Sequence, residues 1–143
     1  MSTLPPDSHA AAPRFGRSGG AGPASRAEPG AADLASRWAG LHEAAAVIAA
    51  LAGEGALAPT DGAAGFLEGL AREGGWRLRL AGEGIEDLAA ILQTGICALL
   101  AIHGQGGGAV VAPARALWAE FLSARSGILA LCPAELAGRR RLA

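Results

Sequence analysis

An all-α fold, a small bundle of about four helices with one short extended segment, is what this sequence predicts. Three observations carry the prediction. Large apolar residues recur at spacings of three and four along two long stretches, 33–52 and 113–132. Between them, Ile85 to His103 is apolar on most of its circumference. Glycine, proline and short polar runs fall between these stretches, where loops belong.

The first 30 residues are rich in Pro, Gly, Ser and Ala and nearly free of large apolar side chains. They bury too little surface to offset the entropy of ordering, so 1–30 is expected to be a disordered arm. The helical domain is expected over 31–132, followed by a basic C-terminal tail, 133–143, with three consecutive arginines.

Within the domain, Leu34, Trp38, Leu41, Ala45, Ile48 and Ala52 form one stripe, with Asp33 as N-cap and Gly53 as stop. A second, weaker helix is expected from Thr60 to Arg72, burying Phe66, Leu67 and Leu70. Gly65 and Gly69 in it suggest a close backbone approach. After Gly74 and Gly75, Trp76, Leu78 and Leu80 alternate with Arg77 and Arg79, the period of a strand. Its partner in a two-stranded ribbon, 76–80 with 109–112, would be Val110 and Val111; the alternative is an unpaired linker.

The central helix comes next, entered through Glu83, Glu86 and Asp87, where the macrodipole favours negative charge. One of its faces gathers Ile85, Leu88, Leu92, Ile96, Leu99 and His103. Ala90, Gln93, Cys97 and Ala101 lie opposite, a narrow strip of small residues on which another helix could settle. The last helix starts at Pro113, carries Leu117, Trp118, Phe121, Leu122, Ile128 and Leu129, and stops before Pro133. Arg125 intrudes on that apolar arc. The plain explanation is a stem lying on aromatics with the guanidinium reaching solvent or a carboxylate; the functional one is a site for an anion or an acidic partner.

Composition bounds function. All 12 basic residues are arginine and Ala and Gly dominate, the bias of a GC-rich genome, so the 51% hydrophobic content overstates the core. Residues 31–138 carry 11 acidic and 6 basic side chains, a net of −5. An acidic core lacks the basic face that displaces counterions from phosphates, which argues against nucleic-acid binding by the folded part. Two cysteines make no disulfide framework, and a reduced, cytoplasmic protein is the simpler expectation. The run Leu88 to Ile102 is shorter than the roughly 20 residues that span a bilayer, so no membrane span is expected.

Motifs for chemistry fail on context. Gly104 to Ala109, GQGGGA, has the letters of a dinucleotide fingerprint, but a helix precedes it where a strand should. AGEGIED has glycines before a helix, yet Glu83 and Glu86 would repel a phosphate. His42 and Glu43 begin like a zinc-protease helix, but no second histidine stands four residues on. Cys97 with His42 or His103 is the sole conceivable nucleophile and base, but a mid-helix thiol among apolar neighbours is not activated. No cofactor, metal or intrinsic catalysis is expected. The sequence points to a helical interaction module that binds a protein partner or a second copy of itself through Ala90, Gln93, Cys97 and Ala101. The alternative is a pocket for a small apolar or anionic ligand near Trp76, Trp118 and Arg125, serving an enzyme as accessory.

Overall fold

The structure, a computed structural model, describes residues 30–63, 65–106 and 108–132. The expectations for the arm and the basic tail lie outside these residues. Four α-helices and one 3-10 turn make up the described chain, with no strand among them: α1 Ala31–Ala52, α2 Phe66–Glu73, α3 Gly75–Gly104, the 3-10 turn Gly108–Val110, and α4 Val111–Leu129. The three long helices pack on one another, and short α2 lies against α1 and α3.

α1 supplies the middle of the core. Leu34, Trp38, Leu41, His42, Ala45, Ile48, Ala49 and Ala52 are all buried, the stripe that the spacing predicts with His42 and Ala49 added to it. The N-cap is Gly30, without a side-chain cap; Asp33 instead sits in the first turn, where its charge meets the helix dipole and Arg37 at 3.1 Å. Gly53 closes the helix as expected.

The second helix is shorter than its sequence suggests. Gly62 and Gly65 adopt φ of 69° and 76°, outside the right-handed helical region, so 60–63 forms turns and α2 begins only at Phe66. No other atom approaches within 4 Å of where a Cβ on Gly65 would stand, so a turn and not a close backbone contact explains that glycine. Phe66, Gly69 and Leu70 are the residues it buries.

The extended segment at 76–80 is not formed: these residues are the first turns of α3, and 109–112, the expected partner strand, is split between the 3-10 turn and α4. Five residues of alternation fit a helix as well as a strand when the next turns keep the helical register. Leu78, Ala81, Gly82, Ile85 and Leu88 do so, and all are buried while Trp76, Arg79 and Leu80 face outward. Gly82 and Gly84, the glycines that the sequence places before a helix in AGEGIED, lie inside α3. A Cβ on Gly84 would come 3.3 Å from Ile128, and one on Gly95 would collide with Leu117. Eleven residues apart, the two glycines share a side of α3 and let α4 lie close along it.

Apolar on most of its circumference over Ile85 to His103, α3 is nonetheless not enveloped by the described residues. It is 30 residues long, and only 22% of its most apolar 18-residue window is buried. By length and composition it is long and apolar enough to cross a membrane, a property it shares with core helices of soluble proteins.

Candidate functional site

Two places in the fold break the rule that apolar surface is buried and polar groups are exposed. The first is the outer face of α3. Ala90, Gln93, Cys97 and Ala101 are all exposed, as are their neighbours Ala89, Ile91, Thr94, Ala98 and Leu100. Ile91 and Leu100 leave 54% and 50% of their surface open. From Leu88 to Ile102 no side chain is charged, and the Thr94 hydroxyl donates to the Ala90 carbonyl at 3.1 Å, which removes its donor from the surface. Trp76, Leu80, Glu83, Asp87, Ala90, Thr94, Cys97 and Ala101 succeed each other at alternating steps of four and three, the spacing of a seam between two helices.

The second place lies between α1 and α4. His42 and Arg125 retain only 3% and 8% of their exposure. The His42 ring sits 4.7 Å from Trp38 and meets Phe121 edge-on at 5.4 Å. Its Nδ1 is 2.8 Å from the Trp38 carbonyl oxygen. A carbonyl only accepts, so Nδ1 carries the proton and Nε2 presents a lone pair, which accepts the Arg125 Nε–H at 2.9 Å. Arg125 also donates from its terminal nitrogen to the Asp61 carbonyl and lies over the Trp38 ring, 5.5 Å from its centroid. Trp38 in turn donates through Nε1 to the Pro59 carbonyl at 2.8 Å, and the Asp61 carboxylate accepts the Ala58 N–H at 2.7 Å. No buried side-chain polar atom among the described residues lacks a partner. Burial first, and then the Arg125 charge, push the His42 imidazole below its ordinary value, against the pull of the Trp38 carbonyl and Asp61. Burial likewise lowers Arg125, with Asp61 opposing.

Arg125 therefore reaches neither solvent nor a carboxylate, contrary to the simpler expectation from sequence; a ring nitrogen, a carbonyl and an indole face hold it. Trp118 is buried and stacks on Phe121 at 5.2 Å, whereas Trp76 is 59% exposed at the start of α3, under the Arg77 guanidinium at 5.1 Å. Among the aromatic and cation–π pairs of the described residues, Trp76, Trp118 and Arg125 share no contact.

An open, shallow cleft is lined by Ala50, Leu51, His103, Gly106, Gly108, Val110 and Val111. Its one titratable side chain is the exposed His103, so it offers no constellation for catalysis. GQGGGA begins on the last residue of α3, with a helix and no strand before it, and AGEGIED is helix interior, so neither presents the strand-to-helix turn that holds a pyrophosphate. No group of three or more His, Cys, Asp or Glu side chains among the described residues is placed to hold a metal.

Sequence reasoning missed the pairing of His42 with Arg125. The signal was available: each is a polar residue inside an apolar stripe, one on the first long helix and one on the last, and two such misfits in one small core have reason to meet. No protein-family model, curated protein or solved structure matches the chain.

Proposed function

We propose that this protein is a helical interaction module without catalysis of its own, whose binding surface is the outer face of α3, and that its first partner is a second copy of the chain. The observation that supports this reading is the uncharged outer side of α3 between Leu88 and Ile102, where Ala90, Thr94, Cys97 and Ala101 are exposed and Ile91 and Leu100, nine positions apart, stand open on its two opposite flanks. Joining two such faces removes apolar surface from water without stripping any charge of its hydration.

The charge pattern favours one orientation. A parallel, in-register pair would set Glu83 on Glu83 and Asp87 on Asp87 of the partner along the seam. An antiparallel pair centred between Thr94 and Cys97 sets Ala90 against Ala101 of the second copy and carries the acidic residues beyond the end of the contact. Alanines at the crossing let the helix axes come to the short end of the usual 8–10 Å range.

Cys97, exposed in the middle of the strip, supplies the test. In a Cys132→Ser background, a short bismaleimide is expected to join two chains through Cys97, and sedimentation to give a dimer that Ile91→Glu converts to monomer. A chain that stays monomeric at about 100 μM and forms no Cys97 cross-link overturns the reading. Flotation of that monomer with phosphatidylcholine vesicles would assign the face to lipid instead.

A further inference from the structure

We infer that His42 and Arg125 form an acid-sensitive latch that holds the connection after α1, residues 53–63, closed over the aromatic core. Three side-chain contacts tie the connection to the helices: at its start Glu54 pairs with Arg115 of α4 at 3.7 Å, and further on the Trp38 indole binds the Pro59 carbonyl and the Arg125 guanidinium binds the Asp61 carbonyl. The guanidinium that serves Asp61 from its terminal nitrogen is oriented at Nε by the His42 Nε2 lone pair. The latch thus depends on one lone pair on one imidazole.

Protonation of His42 removes that lone pair and turns Nε2 into a donor facing the Arg125 Nε–H. An acceptor–donor contact becomes two donors and two cations within 2.9 Å in a site where His42 and Arg125 keep only 3% and 8% of their exposure. Nδ1 cannot relieve the conflict, because it already donates to Trp38. Of the charged groups around the ring, Arg125 on α4 opposes the imidazolium and Asp61 in the connection favours it. Asp61 moves with the segment being released, and its carboxylate is engaged by Ala58. The Phe66 ring of α2 packs on Trp38 and Phe121 of α4 on His42, and neither can accept a hydrogen bond from a new imidazolium as a carboxylate would. The conflict is relieved by withdrawal of Arg125 toward solvent, which frees Asp61 and opens the connection above Trp38 and Phe66. The helices keep their own backbone bonds, so the response is local.

Amide hydrogen exchange of the full chain at about pH 7.5 and pH 5, corrected for intrinsic rates, tests this. Opening of 54–63 is expected to rise about tenfold for each pH unit between the ordinary histidine value and that of His42 in the closed chain, while α1, α3 and α4 hold their protection. His42→Gln, which presents an uncharged amide oxygen to Arg125, is expected to flatten the response, and His103→Gln to leave it unchanged. NMR titration of the wild-type His42 ring supplies an arm independent of whether His42→Gln folds: its midpoint must coincide with that of the exchange change. Protection of 54–63 that persists while His42 charges overturns the latch. So does a His42 that stays neutral to pH 4.5 while the segment opens, or a His42→Gln chain that keeps the wild-type response.

Discussion

Between α1 and α4, two polar side chains lie buried with their hydrogen bonds met inside the protein, whereas along the outer side of α3 an uncharged apolar surface is left open by the described residues. The first region is specific because its polar atoms have one arrangement that satisfies them, and a donor or acceptor orphaned there costs more than an average hydrogen bond contributes. The second tolerates uncharged helix-forming residues as far as folding is concerned, since its side chains are exposed among the described residues. A residue in the seam between α1 and α4 should therefore register in stability and one on the α3 face in association.

The largest effect is expected at Arg125. Arg125→Ala leaves His42 Nε2 and the Asp61 carbonyl without their donor and opens space beside Trp38; a loss of about 2–3 kcal/mol is expected in urea unfolding. Arg125→Met, which retains the stem, should lose less. Acidification strikes the same seam. The folded chain holds His42 below its ordinary value near 6.5, so the unfolded chain binds the proton more readily. The stabilising contribution is fully present above about pH 6.5, declines as the pH falls from there toward the folded value, and is flat below it. Chemical denaturation across that window should show the decline in wild type and its absence in His42→Gln.

The long helices were legible in the sequence because their burial obeys the helical period: Leu34, Trp38, Leu41, Ala45 and Ile48 on α1, and Trp118, Phe121 and Ile128 on α4, are buried as the spacing requires. The start of α3 was not, since alternation over Trp76 to Leu80 is too short to tell a strand from a helix whose next turns stay in register. Nor was the meaning of Gly84 and Gly95, which depends on where Ile128 and Leu117 arrive, a tertiary fact with no local mark. The small-residue strip was readable as a face, and the structure places all four of its residues in solvent. The reach of Arg125 was misjudged because its partners, a ring nitrogen 83 positions away in the chain and a carbonyl in a turn, carry no charge that a sequence pattern would display.

A smaller effect of opposite sign sharpens the contrast between glycines that are needed and glycines that are not. Gly40 lies exposed within α1, and a Cβ there would meet nothing within 4 Å. Gly40→Ala is expected to raise stability by about 0.5–1 kcal/mol through helix propensity alone. Gly95→Val, with Leu117 in the way, should lower it by about 1–3 kcal/mol through overpacking. Thermal unfolding of the two variants side by side reads both signs.

The smallest effect on folding, and the one that separates the two regions most directly, is expected on α3. Ile91→Gln and Leu100→Gln replace exposed apolar side chains by a good helix former and should change unfolding free energy by no more than about 0.5 kcal/mol. If the face joins two chains, the same substitutions remove apolar area from the contact and add an amide to be desolvated in each copy, so dimerisation should weaken by at least about tenfold while the monomer's melting point holds. Ala101→Trp acts by volume instead of polarity: it holds the helix axes apart at the antiparallel crossing, where Ala90 and Ala101 of the two copies meet, and should likewise leave the monomer intact. A fall in melting point measured under monomeric conditions for all three would mean that this side of α3 is covered within its own chain. Dimers of undiminished affinity would place the self-contact on some other face, with Ile91 and Leu100 left in water.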